Sequence, residues 1–453
     1  MQRTRASRIS PRRCGSRAAL AAAALLAFPG CAPEAPPAAA VRPDVIWIVV
    51  DTLRRDRLGC YGHTRATSPE LDALAREALV FERAYTSAPW TTPAVGGLLT
   101  AQAPSALGLV HERSRLPAEW TTAAELFAQA GYRTSAVVSH SFCSSLQGFD
   151  QGFEVFDETN VRGYAEATSP GVTARAVELL AREDERPLFL FVHYFDPHFA
   201  YLEHEAHPFR GPRAYAGPVR PGQRFEELER LVPSLGEPDY ERLLELYDSE
   251  VAFTDAAIGK LLQALRARPR WERTVVAVTA DHGEEFGERR SLGHGSTLFG
   301  EAIDVPLLLR VPGRGAERLS TPVSTLGLLP TCAALAGLAD LPAQLGRDLL
   351  RAGPPEPVFV ETNQGGVLRA AIDGSSKLIA DLATRSSRLY HLRLDPHERA
   401  DRAASHAAEV ARLEELLAGW LAVATEPRFT PEEAQLDEAA LERLRSLGYL
   451  GGR

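Results

Sequence analysis

The sequence predicts an α/β protein in which helices sandwich a large mixed, mostly parallel sheet, followed by a smaller α+β subdomain at the C-terminus. Along the first part of the chain, apolar β-branched runs alternate with segments whose apolar residues recur every three or four positions. Near residue 345 this alternation gives way to short strand-like runs, which indicate a small antiparallel sheet. We therefore expect a main domain over 43–345 and a subdomain over 346–453.

Individual elements follow from the same patterns. The strands predicted for the large sheet are Val45–Val50, Thr134–Val138, Leu188–His193, Thr274–Thr279 and Val305–Arg310. Ser68 and Thr122 stand where helix N-caps are expected, and a long helix is predicted from about Tyr240 to Leu265. Residues 199–235, rich in Pro, Arg and Glu, predict an insertion over the sheet. The subdomain strands, before two terminal helices, are predicted at Val358–Glu361, Val367–Ile372, Ser376–Asp381 and Arg388–Leu392.

Composition excludes several classes of protein. Among 453 residues, 45% are hydrophobic and 24% are charged, as in ordinary globular proteins rather than disordered chains or coiled-coil rods. The net charge of −9 provides no basic surface for nucleic acid, so we expect no nucleic-acid partner. Five cysteines without a CxxC pair exclude a zinc ribbon and a disulfide-dense scaffold.

The N-terminus has the features of an export signal. Residues 1–31 contain an arginine-rich start and a short apolar run, and this run is too short to span a bilayer. Cys31 follows Gly30 as in a bacterial lipobox, which predicts a lipid anchor, with 32–42 as a Pro- and Ala-containing linker. Cleavage near Ala32 and an uncleaved anchor are the alternatives. The expected location is the periplasm or cell envelope, with membrane contact only through the lipid.

Polar side chains follow four of the predicted strands. In open α/β sheets, ligands bind beyond the carboxyl ends of the strands, so these side chains are the candidates for chemistry. Two carboxylates and an imidazole form a suitable ligand set for a divalent cation, and their convergence on one sheet edge predicts a metal site. The residues at these strand ends are Asp51, His140, Asp196, His198, Asp281 and His282.

Several segments together resemble the sulfatase family of the alkaline phosphatase superfamily. The resemblance covers about residues 43–450, with the segments in the family's order. It implies an alkaline phosphatase-like fold. The matching segments are Val50–Arg54 with Leu58–Gly62, Ala88–Pro93 with Leu98–Thr100, Phe195–His198, Thr279–Glu284, Glu301–Pro306, Tyr390–Leu392 with Asp395–Pro396, and Leu447–Tyr449.

The resemblance implies one divalent cation (Ca²⁺, Mn²⁺, Zn²⁺ or Mg²⁺) held by Asp51, Thr91, Asp281 and His282, with a second cation as an alternative. The family nucleophile, a Cys or Ser that is oxidised to formylglycine, falls on Thr91, and the arginine of that motif falls on Val95. Threonine cannot yield formylglycine. The chain therefore resembles the family members with a threonine nucleophile, whose metal sets are similar.

Threonine has a chemistry of its own. A hydroxyl bound to a divalent cation has a lowered pKa and can attack as an alkoxide, forming a covalent intermediate. A threonine ester needs a second in-line attack for release, which favours phosphate esters, whereas family membership favours sulfate esters. Thr92 and Ser87 are the alternative nucleophiles if the motif is shifted.

The remaining roles concern histidines. His198 matches the family histidine that protonates the leaving oxygen. His140 and His294 stand in segments that typically carry lysines, and we expect them to hold the non-bridging oxygens of the ester. His294 could alternatively bind a second metal beside Asp196 or His198, but one cation is favoured because no Asp-x-x-x-His pair is present. His193 is among the histidines to which no role is given.

These observations predict an exported, metal-dependent hydrolase of sulfate or phosphate esters. The expected substrate is a small-molecule, glycan or lipid ester. One alternative is a transferase that passes a phospho-group to a glycan or lipid acceptor. The other is a catalytically degenerate binding protein, since the apolar segment 94–97 replaces a polar motif.

Overall fold

The structure, a computed structural model, describes residues 42–162, 166–211, 214–338, 341, 346–424 and 428–435. Its α-helices are α1 (Pro69–Ala75), α2 (Thr91–Thr100), α3 (Pro104–Leu107), α4 (Ala123–Gln129), α5 (Ser169–Leu180), α6 (Phe225–Leu231), α7 (Glu237–Arg266), α8 (Gly300–Ile303), α9 (Leu328–Leu335) and α10 (Ala407–Ala424). Its strands are β1 (Asp44–Val50), β2 (Leu79–Phe81), β3 (Ala84–Tyr85), β4 (Ser114–Arg115), β5 (Arg133–Val137), β6 (Val155–Asp157), β7 (Leu188–Tyr194), β8 (Thr274–Ala280), β9 (Glu285–Phe286), β10 (Leu292–Gly293), β11 (Asp304–Val305), β12 (Leu307–Arg310), β13 (Glu317–Leu319), β14 (Val323–Ser324), β15 (Val358–Thr362), β16 (Leu368–Asp373), β17 (Ser376–Asp381), β18 (Ser386–His391) and β19 (Glu432–Glu433).

The central sheet has eight strands in the order β13-β2-β12-β8-β1-β7-β5-β6. The five strands from β8 to β6 run parallel, and β12 is antiparallel to both of its neighbours. β1, β7 and β8 are buried along their whole length, as expected for strands covered by helices on both faces. The predicted α/β fold with a mixed, mostly parallel sheet is confirmed.

One predicted strand is divided in two. Within the run Val305–Arg310, β11 ends at Val305 and β12 begins at Leu307. β11 pairs with β3, whereas β12 belongs to the central sheet. Pro306 separates the two parts. Proline has no N–H to donate to a ladder, so a strand often breaks or changes partner at this residue.

The two predicted helix caps have different outcomes. Thr122 caps α4 and closes a capping box with the glutamate three residues on, as expected. Ser68 precedes α1, but its side chain does not cap the helix. Asp255 of α7 accepts hydrogen bonds from the backbone N–H groups of Glu70 and Leu71 at 2.9 Å instead. A carboxylate distant in sequence thus performs the capping that a local serine was expected to perform.

The C-terminal strands β15 to β18 form the predicted antiparallel sheet. One face packs against Tyr85, Phe299 and Ile303 of the main part of the chain, and the other packs against Leu413 and Leu417 of α10. Residues 42–453 cluster as one compact unit, so a boundary at 345 stays a prediction. The second predicted terminal helix lies outside the described residues.

The export signal, the lipid anchor on Cys31 and most of the linker fall in residues 1–41, which are outside the described part of the chain. They stay predictions. Among the described residues, no helix combines the length and the apolar character needed to cross a bilayer.

Candidate active site and metal centre

Three neighbouring parallel strands bring the polar residues to one edge of the sheet. β1 lies between β7 and β8, and the register pairs Val49 with His193 and Val50 with Ala280. Asp51 and Asp281, the residues that follow β1 and β8, therefore emerge side by side, and both are fully buried. The predicted convergence of these two acids at the carboxyl end of the sheet is observed.

His282 completes this group. Its Nε2 lies 3.4 Å from Asp51 Oδ1 and 3.6 Å from Asp281 Oδ2. Its Nδ1 is 2.9 Å from the Gly283 carbonyl oxygen, to which a proton on Nδ1 is donated. The lone pair of the neutral ring is then on Nε2 and faces the two carboxylates, which is the orientation of a metal-ligating imidazole.

The loop that carries His282 is held at close range by a neighbouring segment. The backbone N–H of Gly283 donates to the Ala302 carbonyl, and that of Glu284 donates to the Glu301 carbonyl, both at 2.9 Å. A Cβ at position 283 would lie 2.1 Å from the Glu301 carbonyl oxygen, so only glycine fits. This close approach fixes the direction in which His282 points.

The two carboxylates have too few hydrogen-bond partners and too little positive charge around them for their burial. Both oxygens of Asp51 and Oδ2 of Asp281 are buried and have no hydrogen-bond partner among the described residues. Burial and the negative charge of Asp281 raise the pKa of Asp51. Burial also acts on Asp281, but His282 and His193 outweigh it and lower the pKa of Asp281 to about 2. Unpaired buried carboxylates next to an imidazole fit a divalent cation, which would supply the missing positive charge.

Thr91 is the first residue of α2, and its hydroxyl faces this group. Thr91 Oγ1 lies 3.4 Å from His282 Nε2 and 3.4 Å from His140 Nδ1. The first N–H groups of a helix lack intrahelical acceptors, and the helix dipole is positive there. The hydroxyl therefore stands where an anionic ester is attracted and where negative charge on oxygen is stabilised.

Close packing of α2 keeps Thr91 in place. All ten residues of the helix are buried. A Cβ at Gly96 would lie 2.3 Å from the Leu109 side chain, and one at Gly97 would lie 2.6 Å from Ser87 Oγ, so the two glycines let the helix approach its neighbours. Val95, at the position of the family's arginine, lies in the hydrophobic core. The apolar segment 94–97 thus packs α2 against its neighbours.

The two alternative nucleophiles have other contacts. Thr92 Oγ1 donates to the Phe142 carbonyl oxygen at 3.1 Å, whereas Ser87 Oγ is buried beside Gly97 and has no hydrogen-bond partner among the described residues. Of the three hydroxyls, Thr91 has the contacts with His140 and His282.

His140 and His198 form a second pair of imidazoles near Asp51. His140 Nδ1 is 3.0 Å from Asp51 Oδ2, and the His140 and His198 rings are 5.4 Å apart between centroids. Burial lowers the pKa of His140 to about 3 and also lowers the pKa of His198. Both rings are therefore neutral at physiological pH, with one lone pair each.

His294 lies next to His282 and His198, with ring centroids 4.3 Å and 5.1 Å apart, respectively. Its Nδ1 is 2.9 Å from Glu284 Oε1, which fixes the ring orientation. Asp196, considered as a neighbour of a second metal, is engaged elsewhere, because its carboxylate accepts from the backbone N–H groups of Thr168 and Ser169 at the start of α5. The expectation of a metal beside Asp196 is not supported by this geometry.

His193 is the residue that the sequence interpretation missed. It is fully buried near the end of β7, and its Nε2 lies 3.7 Å from Asp281 Oδ2 and 4.0 Å from Asp51 Oδ2. The signal was a lone imidazole in an otherwise apolar strand, next in register to the strand that ends at Asp51. His193 is therefore close to both carboxylates.

We expect His193→Ala to weaken cation binding by about 10- to 100-fold, because removal of a side chain that orients ligands has this effect in known metal sites. The cation dissociation constant, measured by calorimetry on the folded protein, checks this. His204→Ala is the control, since His204 is a half-buried histidine paired with Glu250 and should leave the constant unchanged. Equal constants for wild type and His193→Ala would contradict the role.

Comparisons with known proteins identify the family and the fold. The family model described as Sulfatase matches residues 43–338. "Uncharacterized sulfatase YidJ" of Escherichia coli (strain K12) is 27% identical over 421 residues, which cover 79% of this chain and 82% of that protein.

Two solved structures share the fold. The phosphonate monoester hydrolase of Agrobacterium radiobacter has a TM-score of 0.69 at 21% identity, covering 84% of this chain and 96% of its own. The protein BT4656, solved in complex with its substrate D-glucosamine-2-N,6-O-disulfate, has a TM-score of 0.73 at 18% identity. The match covers 84% of this chain and 98% of that chain. The family match extends over more than half of the chain, which therefore belongs to the sulfatase family and is an ester hydrolase.

Proposed function

We propose that this chain hydrolyses sulfate or phosphate esters by attack of the Thr91 hydroxyl, with a divalent cation held by Asp51, Asp281 and His282. The observation that carries the proposal is the position of Thr91 Oγ1, 3.4 Å from His282 Nε2 at the N-terminus of a buried helix.

The cation, when bound, would lower the pKa of the Thr91 hydroxyl and neutralise charge on the ester oxygens. Asp51 and Asp281 supply the negative charge that binds it, and His282 supplies a lone pair on Nε2. The group contains hard carboxylate oxygens and a borderline imidazole nitrogen. It fits Mn²⁺ or Zn²⁺ well and also accommodates Ca²⁺ or Mg²⁺.

The reaction would proceed in two displacements. Thr91 Oγ1 attacks phosphorus or sulfur in line, the ester bond to the leaving oxygen breaks, and the leaving alcohol takes up a proton. Water then attacks the same atom, the bond to Oγ1 breaks, and Thr91 recovers its proton. Threonine carries one oxygen on Cβ and cannot release the group as an aldehyde, so both steps occur at phosphorus or sulfur. Phosphoenzymes suit this route, and we therefore favour phosphate or phosphonate esters over sulfate esters.

His294 is placed to contact a non-bridging oxygen of the ester. Glu284 Oε1 lies 2.9 Å from its Nδ1 and fixes the orientation of the ring. The resemblance implies oxygen binding by His140 and leaving-group protonation by His198, and both roles stay predictions. Burial lowers the pKa of both rings, and neutral imidazoles are poor acids. Lone-pair donation to a cation next to Asp51 therefore suits these two rings better than protonation of a leaving group.

A substrate of the cell envelope fits the expected export and lipid anchor. The glucosamine disulfate complex, which shares the fold, supports a glycan ester as one candidate. The phosphonate monoester hydrolase, which also shares the fold, supports a phosphonate or phosphate ester as the other. A transferase to a glycan or lipid acceptor would use the same first step and differ only in the second.

The test is a panel of aryl phosphomonoesters, phosphodiesters, phosphonate monoesters and sulfates, each with Mn²⁺, Zn²⁺, Ca²⁺ or Mg²⁺. We expect turnover of at least one phosphorus ester, and acid-quenched protein to carry one phosphoryl group on the Thr91 peptide by mass spectrometry. An added alcohol distinguishes hydrolysis from transfer by its product. A phosphoryl group on another residue would overturn the nucleophile, and no turnover together with no bound cation would favour a binding protein.

A further inference from the structure

Asp51 is flanked by imidazoles on both of its oxygens. Oδ1 lies 3.4 Å from His282 Nε2, and Oδ2 lies 3.0 Å from His140 Nδ1. Both oxygens are buried, and within the described residues neither has a hydrogen-bond partner. A single cation bound with Asp281 and His282 leaves Oδ2 without a cation next to it.

A second ligand group stands on the Oδ2 side. Asp51, His140 and His198 each offer one ligand atom, and the three atoms lie within 4.8 Å of one another. All three residues are buried. His198 Nδ1 is 2.9 Å from the Phe199 carbonyl oxygen, and a proton donated there leaves the lone pair of the neutral ring on Nε2. His140 Nε2 is buried with no hydrogen-bond partner in the described part of the chain.

We propose that Asp51, His140 and His198 bind a second divalent cation and that Asp51 bridges it to the cation held by Asp281 and His282. One carboxylate and two imidazoles form a ligand set of the zinc class, whereas Ca²⁺ and Mg²⁺ prefer oxygen ligands. The proposal rests on the catalytic site proposed above, since Asp51 belongs to both groups. It does not depend on the identity of the ester.

The second cation explains the position of Thr91. Its Oγ1 is equally far, 3.4 Å, from His140 Nδ1 of the second group and His282 Nε2 of the first. Two cations next to this hydroxyl would exceed the charge of the two carboxylates and favour a doubly charged phosphate monoester over a singly charged sulfate ester. His140 and His198 would then be ligands, so neither could act as oxygen donor or leaving-group acid.

Metal content tests the proposal without any substrate. The full chain is loaded with Zn²⁺, freed of unbound metal and analysed for zinc per chain. We expect two for the wild type, one for His140→Ala and one for His198→Ala. His294→Asn is the matched control, a neighbouring histidine outside the group, and should keep two. One zinc in the wild type, or two in His140→Ala, would overturn the proposal.

A spectroscopic measurement on the wild type covers the case in which a variant does not fold. Two Mn²⁺ ions that share the Asp51 carboxylate would lie about 4 Å apart and give an exchange-coupled paramagnetic resonance spectrum. An uncoupled spectrum at saturating Mn²⁺ overturns the bridge. Two coupled ions in a protein that turns over no ester would support the second cation site and refute only the proposed hydrolysis. Turnover with one bound ion would refute the second cation site and leave the proposed hydrolysis standing.

Discussion

Thr91→Ala is expected to lower kcat by at least about 1000-fold, because it removes the atom that forms the covalent intermediate. The side chain is buried at the start of α2 and removal of its hydroxyl and methyl groups leaves the helix contacts of Gly96 and Gly97 in place. Cation affinity should fall only modestly, since the two carboxylates and His282 remain. Single-turnover kinetics with the best ester of the panel, together with calorimetric cation binding, measures both quantities.

Thr91→Ser is the matched control for this result. Serine keeps the hydroxyl at the same position and should retain measurable turnover and the phosphoryl group on residue 91. Thr92→Ala tests the neighbouring hydroxyl, which donates to the Phe142 carbonyl, and should leave the covalent intermediate on Thr91. Activity of Thr91→Ala close to that of the wild type would remove Thr91 as the nucleophile while leaving the fold and family untouched.

Asp51→Asn is expected to lower cation affinity by at least about 100-fold and to abolish turnover. A neutral amide is a weaker ligand than a carboxylate, and loss of even an outer support of a metal site costs about 10- to 100-fold. The metal-free protein should be no less stable than the wild type, because the variant no longer buries two like charges side by side. Thermal unfolding with and without cation separates the two effects.

A cation at 100 times its dissociation constant adds about 2.7 kcal/mol to the free energy of unfolding of the wild type. For Asp51→Asn we expect almost none of this increase at the same concentration. Asp255→Asn is the control, since Asp255 is also a buried carboxylate but caps α1, and the added stability should persist. An undiminished cation response in Asp51→Asn would refute the metal centre as described.

Much of the fold could be predicted from local patterns. Strands that are covered on both faces appear as continuous apolar runs, and the predicted ends of β1, β7 and β8 differ from the observed ends by at most one residue. Ser68 is the N-cap residue as predicted but makes no side-chain cap, and the unbroken Val305–Arg310 strand was wrong. Both depend on partners elsewhere in the chain, Asp255 in the first case and β3 in the second.

The convergence of Asp51 and Asp281 could also be predicted, because parallel strands share one carboxyl edge, where the residues that follow neighbouring strands lie close together. His193 could not, since a histidine inside an apolar strand shows no periodic signal and its contact with Asp281 depends on strand register. The distance between Thr91 and His282 likewise depends on how α2 packs against Leu109, which no local pattern reports.

The sequence by itself determined the fold class, the family and the residue types available at the sheet edge. Only the tertiary structure decided which nitrogen of each histidine faces the carboxylates, and that Asp51 belongs to two groups of possible ligands. The physical reason is that hydrophobic periodicity reports the burial of each segment independently. Ligand geometry depends on packing and hydrogen bonds between segments that are distant in the chain, and these form only when the whole sheet is assembled.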